Sequence, residues 1–264
     1  MSQIDDSLIK NLIEEAKKAS RLSYSPYSRY PVGAAVLSFD DRIYTGTNVE
    51  NCGFTQTIHA EQTAICSAIS LGALQRAEKA GLSQLNFVKA VAVYAEKGSD
   101  PWPCCNCRQS LNEFGLSMHI VGEDGEGNFR SKTLEELIPH AFDMNIVLAA
   151  AKDKAEDRTK SEENTPVHPP QGLLSQLEEK GFYSMDSTFS REEKYLELTE
   201  IARFASTSAY CPYSQYPVGA AVLCFDGTVY TGTNVENCSY TQTIHDEQVA
   251  TARAAAGGAL KRAQ

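Results

Sequence analysis

Two short runs of the chain carry side chains able to do chemistry together: Thr57-Ile58-His59-Ala60-Glu61 and Pro103-Cys104-Cys105-Asn106-Cys107. They supply an imidazole, two thiols in C-x-x-C spacing and a carboxylate. A catalytic zinc takes three N or S ligands from the protein and keeps a fourth position open. His59, Cys104 and Cys107 fit that set, which predicts one Zn2+ per chain. Glu61, two residues beyond the His, is then a free carboxylate beside the metal and a candidate proton carrier. Either run alone is a weak signal. C-x-x-C also serves redox chemistry, and a surface Cys cluster beside a core His is the plain structural alternative. The two runs together, with Pro103 ahead of the first Cys, favour the metal.

Each run is predicted to open a helix. Ala64, Ile65, Ala68 and Leu71 recur at helical spacing behind His59; Leu111 and Phe114 do so behind Cys104, with Gly115 as a stop. A thiolate or metal at a helix start sits on the positive end of the dipole among unpaired N–H groups, which lowers thiol pKa. A His/Cys/Cys set also leaves zinc formally neutral. Three thiolates would need a compensating Arg, and here Gln62 follows Glu61.

The positioning elements follow in order. Asp5 to Leu22 reads as an amphipathic helix with Leu8, Ile9, Leu12, Ile13, Ala16 and Ala19 on one face and Asp5 or Asp6 as its cap. Val32 to Phe39 and Arg42 to Thr47 read as a hairpin across Asp40-Asp41. Phe87 to Ala95 and Met118 to Val121 are strand candidates, Gly122 to Gly127 a turn, and Thr133 to Glu136 a capping box opening a short helix. Strands alternating with helices predict an α/β sandwich with parallel or mixed pairing. In the loops, Tyr24 and Tyr27 are expected to pack in the core, as are Cys52, Cys66, Cys211, Cys224 and Cys238. Asn48 and Glu50 are ordinary turn residues on one reading; on another, an amide and a carboxylate two apart suit a sugar diol, and the carboxylate would repel a phosphate. Ala77 to Gln84 is expected to lengthen a surface helix or loop.

The sequence then repeats. Tyr24–Ala77 aligns without gaps on Tyr210–Ala263, with about two-thirds of the positions identical, a clear internal duplication. His59-Ala60-Glu61 recurs as His245-Asp246-Glu247, but no second C-x-x-C follows. This predicts one complete site and one remnant; the alternative is that His245 and Glu247 serve a site across an interface. A charged run from Ala151 and the Pro-rich Thr165 to Pro170 read as exposed linker, with His168 solvated. The expected boundaries are 1–148 for the catalytic unit, 149–185 for the linker and 186–264 for the degenerate unit.

The chain has 264 residues, 42% of them hydrophobic, and a formal net charge of −10. No basic stripe is evident, which argues against nucleic acid and anionic membranes as partners. The acidic start and the lack of a transmembrane run favour a soluble, cytoplasmic setting. A deaminase of single-stranded polynucleotides would share the metal motif but call for basic and aromatic channel residues. A non-catalytic zinc-binding protein would have no use for Glu61.

The pairing of H-x-E with P-C-x-x-C matches the known signature of zinc deaminases. With Val32-Gly33-Ala34-Ala35, Asn48-Val49-Glu50-Asn51, Cys107-Arg108-Gln109 and Leu137-Ile138-Pro139-His140-Ala141-Phe142, the chain resembles cytidine deaminases of the longer, dimeric type with a degenerate C-terminal domain. The resemblance covers most of residues 20–145 and 205–262. It implies a three-layer α/β fold with a central mixed sheet, duplicated in one chain. It implies hydrolysis of cytidine and deoxycytidine to uridine and deoxyuridine plus ammonia, in pyrimidine salvage, by a homodimer. It implies zinc on His59, Cys104 and Cys107, proton shuttling by Glu61, and ribose held by Asn48 and Glu50. Tyr30 would line the nucleoside pocket, backbone at Ala60 would read the base edge, and Phe142 would reach a neighbouring subunit's site. Cys105 replaces the Gly of many relatives and is expected to be a bystander.

Overall fold

The computed structural model describes residues 4–96, 102–142 and 169–262. Helix α1, Asp6–Ser20, starts where its cap predicts: Asp5 accepts the Ser7 N–H at 2.8 Å. Strands β1 (Val32–Ser38) and β2 (Ile43–Thr47) form the expected hairpin. β3 (Val88–Ala95) runs antiparallel to β1 on its other edge, β4 (His119–Glu123) parallel to β3, and β5 (Phe129–Thr133) antiparallel to β4. The result is a mixed sheet of five strands in the order β2-β1-β3-β4-β5. A parallel pair needs a crossover connection. Helix α4, Cys105–Asn112, lies in the one between β3 and β4, and so the sheet itself dictates where the C-x-x-C is delivered.

The alternation of side chains along β1 divides the core. Ala35 and Leu37 face α1 and pack with Ile9, Leu12 and Ile13. Ala34 and Val36 face the opposite layer, made by α2 (Ala60–Ser70), α3 (Ala73–Lys79) and α4 around Ile65, Phe87, Leu111 and Phe114. This is the expected three-layer arrangement. The stretch expected to lengthen a helix or loop supplies the end of α3 and a loop running to a short 3-10 turn, Gln84–Asn86. β5 was not expected. Its Arg130 and Lys132 lie on an exposed edge strand, so it carries no apolar alternation to read. Gly122 and Glu123 belong to β4, and the turn narrows to Asp124–Gly127, where Asp124 accepts the N–H groups of Glu126 and Asn128. The capping box opens α5, Leu134–Leu137, with Glu136 accepting the Thr133 N–H at 2.7 Å.

The second unit repeats α1-β1-β2-α2-α3 as α7 (Arg191–Ser206), β7 (Gly219–Leu223), β8 (Thr228–Thr233), α8 (Asp246–Ala256) and α9 (Ala259–Arg262). Even the register is copied: Gly33 pairs with Thr47, and Gly219 with Thr233. The stretch 169–185, expected as the end of the linker, carries regular structure. Helix α6, Leu173–Lys180, and strand β6, Tyr183–Ser184, belong to this unit. β6 pairs with the outer edge of β8, and Leu173, Leu177, Tyr183 and Met185 pack on Ile201 and Val229. Leu173 and Leu177, four apart, make one helical face that the neighbouring Pro-rich run obscured. His168 and the charged run 151–158 lie outside the described residues. The two units share one core: Tyr210, Val235 and Val249 join the cluster of Ile65 and Phe114, and the rings of Phe114 and Tyr210 meet edge-on at 5.2 Å.

Helix α2 lies unusually close to β2. A Cβ at Gly46 would come within 2.4 Å of the Ala60 carbonyl and 2.3 Å of the Ala64 nitrogen. Overpacking of this kind typically costs about 1–3 kcal/mol. Gly46→Ala is therefore expected to lose about 2–3 kcal/mol in urea unfolding and to weaken zinc retention, because the first turn of α2 must lift. An unchanged unfolding midpoint would show that α2 is free to move.

Candidate active site

His59 is the N-cap of α2 and Cys104 the N-cap of α4, so two helix starts point at one spot, as the sequence predicts. Gln62 joins them. Its Oε1 accepts the His59 N–H at 3.1 Å, and its Nε2 donates to Ser110 Oγ of α4 at 3.1 Å. The sulfurs of Cys104 and Cys107 each lie 3.4 Å from His59 Nδ1, and the three donor atoms fall within 4.8 Å of one another. Cys107 is buried, His59 half-buried and Cys104 exposed, so the cluster has one open side. One imidazole nitrogen and two sulfurs, converging without a carboxylate, suit zinc and its need for a vacant fourth position. Cys105 is exposed and outside the cluster, as expected of a bystander.

The electrostatics divide the thiols. Hydrogen bonds from Cys107 and His59 hold the Cys104 thiol down to about 3. The bond to Cys104, with burial, pushes Cys107 well up. His59 is raised, first by its contact with Cys104. Glu61 is only 4% exposed and its carboxyl lies against Cys107. Burial raises its pKa.

Asn48 and Glu50 sit in the loop after β2, and their side chains are already engaged. Asn48 Oδ1 accepts from Ser23 Oγ at 2.6 Å and from Val32 N at 2.8 Å, while Nδ2 donates to the Tyr30 carbonyl. Glu50 Oε2 accepts the N–H groups of Tyr27 and Ser28 at 2.8 and 3.1 Å. These bonds fix the Tyr loop, and Asn234 and Glu236 repeat them in the second unit, except for the Ser23 bond, whose position there is Ala209. Both residues therefore build the loop whatever else they do. Tyr30 is partly exposed, and Ala60 is fully buried in the first turn of α2. The ring of Phe142 is exposed; its carbonyl accepts from Gln109 and Asn112, which places it beside the second half of α4.

Two expectations are corrected. Tyr24 and Tyr27 are 42% and 51% exposed instead of packed in the core. Cys52 is exposed and Cys211 and Cys224 half-buried; only Cys66 and Cys238 of that group are buried. The positioning residues Ser23, Ser110 and Arg108 were not singled out. Arg108 Nε donates to the Pro103 carbonyl at 2.7 Å and Nη1 to the Leu137 carbonyl at 2.8 Å, clamping the loop that leads into Cys104. The Arg was visible in its motif, but its carbonyl partners are backbone and leave no mark in a sequence.

The second unit repeats the frame around its His. His245 caps α8, and Gln248 accepts the His245 N–H at 3.1 Å, as Gln62 does for His59. A cavity of about 770 Å³ between the units is bordered by His59 on one side and by His245, Tyr213 and Glu236 on the other. Glu61, Cys104 and Cys107 do not line it.

A layered α/β fold that presents a His and a C-x-x-C from two helix starts, beside a buried Glu, has the makings of a zinc-dependent hydrolase. Models of the cytidine and deoxycytidylate deaminase zinc-binding region match residues 6–123 and again 134–263. A cytidine deaminase of Sporosarcina psychrophila is 37% identical over 145 residues, 54% of this chain and 98% of that protein. One from Salmonella arizonae is 30% identical over 246 residues, 91% of this chain and 64% of that protein. The crystal structure of cytidine deaminase from Burkholderia pseudomallei is 34% identical and covers 50% of this chain and 98% of its own, with a TM-score of 0.41. The chain belongs to the cytidine and deoxycytidylate deaminase family.

In protein stripped of metal, one thiolate should persist in ultraviolet titration down to about pH 3 and vanish in Cys104→Ser. That pKa lies below the value of about 8.5 of an unfolded cysteine. Its contribution to stability is therefore complete above about pH 8.5 and is lost as pH falls through about 3. Retention of the low-pH thiolate in Cys104→Ser would assign it elsewhere.

Proposed function

We propose that this protein hydrolyses cytidine and deoxycytidine to uridine and deoxyuridine, releasing ammonia, and so serves pyrimidine salvage. The observation that carries this reading is the convergence of His59, Cys104 and Cys107 beside the buried carboxyl of Glu61, whose pKa burial raises. When bound by those three residues, zinc supplies Lewis-acid activation of water.

The rest of the chemistry falls to the chain. Glu61 takes a proton from the attacking water and delivers it to ring nitrogen N3. It takes the second proton and passes it to the 4-amino group, which leaves as ammonia. Burial raises the Glu61 pKa, which moves it toward the range where a carboxyl serves as both base and acid. Glu50 keeps one oxygen on the Tyr27-Ser28 backbone, and its other is available for the ribose diol. Asn48 keeps one N–H for the same purpose while Tyr30 closes the pocket and backbone at Ala60 meets the base edge. A carboxylate at this end of the site disfavours a 5′-phosphate, and a net charge of −10 disfavours a polynucleotide. We place the enzyme in the cytoplasm as a homodimer, with Phe142 reaching the neighbouring subunit's site. Among the described residues no helix is long and apolar enough to cross a membrane.

Purified, zinc-replete protein should release ammonia from cytidine and none from a cytosine-containing single-stranded oligonucleotide; the reverse result would overturn the substrate class. Glu61→Gln should keep its zinc and lose roughly 10²–10⁴-fold in kcat. Near-parental turnover with zinc bound would remove Glu61 from the chemistry. Glu50→Ala should raise the KM for cytidine far more than that for free cytosine analogues, and equal effects on both would rule out the ribose contact.

A further inference from the structure

The unit without a metal site grips the helix that carries the metal site. Glu113 follows α4 and is 1% exposed, inside the shared core. Its Oε1 accepts the phenol hydroxyls of Tyr210 at 2.9 Å and Tyr213 at 2.6 Å. Its Oε2 accepts the Cys238 N–H at 2.8 Å. All three donors come from the second unit. Among the described residues Glu113 forms no salt bridge. A buried carboxylate without a cation is costly unless several donors meet it, and bonds to an ionised acceptor are the strong kind. Burial and this carboxylate push both phenols up, so they remain donors. Asn237 Nδ2 adds a bond to the Gln109 carbonyl at 3.2 Å.

The repeat supplies an internal control. Tyr24, Tyr27, Asn51 and Cys52 are the same four residues in the first unit, and all are exposed. Tyr210, Asn237 and Cys238 are buried and Tyr213 half-buried. The same four residues are open in one copy and closed on the end of α4 in the other, so the docking of α4 accompanies the burial.

Helix α4 is eight residues long, with Cys104 capping one end and Glu113 following the other. A rod of about 12 Å tied near its start by Arg108 and Gln62 and at its far end by Glu113 is restrained from tilting. We propose that Glu113 is a positioning residue, the carboxylate through which the second unit holds α4 so that Cys104 and Cys107 meet His59 in zinc-binding geometry. The proposal rests on the zinc reading above and adds a role for the second unit in it.

The test uses the full-length, zinc-loaded protein. Glu113→Gln keeps the shape and turns an NH₂ toward donors. It should hand zinc to a colorimetric chelator about tenfold faster, in the range of supporting-residue effects on metal affinity. In the cobalt-substituted protein the thiolate-to-cobalt absorption should shift, and KM for cytidine should stay within about twofold, because ribose contacts lie elsewhere. Parental zinc release and a parental cobalt spectrum in Glu113→Gln, even with a lower melting temperature, would make Glu113 a stability residue only and overturn the proposal. Should that variant not fold, Tyr210→Phe and Tyr213→Phe each remove one hydroxyl and decide the matter in the same way: faster release supports the proposal, and parental release in both overturns it. A parent that takes up no zinc would defeat the metal reading and this proposal together. A zinc-binding parent with unaffected release in the variants would defeat this proposal alone.

Discussion

The contact on which the site depends is between two backbones. Helix α2 rests on β2 at Gly46 with no room for a side chain, its Ala60 carbonyl and Ala64 nitrogen occupying the space a Cβ would fill. The second unit repeats the contact at Gly232, against the Asp246 carbonyl and the Ala250 nitrogen. Side chains can change rotamer to relieve a misfit, but main chain against main chain has no such slack. The height and rotation of the first turn of α2 are thereby fixed relative to the sheet. His59 and Glu61 inherit that precision, since one caps the turn and the other lies within it. The loop Asn48–Thr57 then has to span a set distance, and its bridge from Val49 to Ile58 fastens the two ends together.

The second metal helix packs Leu111 into the core and is held further by polar bonds. Arg108 ties its entry to backbone carbonyls, Gln62 joins it to α2 through Ser110, and the second unit holds its far end. The apolar core is continuous across both units, so the duplicated half is part of the catalytic half's interior. A buried pair such as Ser70 Oγ and Thr233 Oγ1, 3.1 Å apart, satisfies polar groups that neither unit could satisfy alone.

Much of this was legible. The hairpin, the capped α1, both metal-helix starts and the duplication follow from local chemistry written in consecutive residues. What escaped has identifiable causes. β5 is an edge strand whose exposed Arg130 and Lys132 mimic a loop. α6 and β6 fall beside a Pro-rich run, and Leu173 and Leu177 were too few to announce a helix. Tyr24 and Tyr27 read as core residues because an aromatic-rich loop ahead of a strand more often packs inward; their copies, Tyr210 and Tyr213, are covered by the end of α4, whereas Tyr24 and Tyr27 are exposed. Asn48 was read for its chemistry, and its bonds to Ser23, Tyr30 and Val32 depend on a fold that brings residues 16 to 25 apart together.

The same comparison separates frame from chemistry. Both units place His at the helix cap, Gln two residues after the acidic position's neighbour, and a glycine beneath the first turn. Both keep the Asn and Glu bonds of the preceding loop. Those features build a loop and start a helix, and both units share them. The two glutamates differ in kind. Glu61 is buried against Cys107 and raised by that burial, whereas Glu247 is exposed on an equivalent turn. The H-x-E spacing therefore does not by itself bury its glutamate. Glu61 lies against Cys107, so the docking of α4 on the start of α2 assembles the His/Cys/Cys cluster and encloses Glu61 in a single packing event.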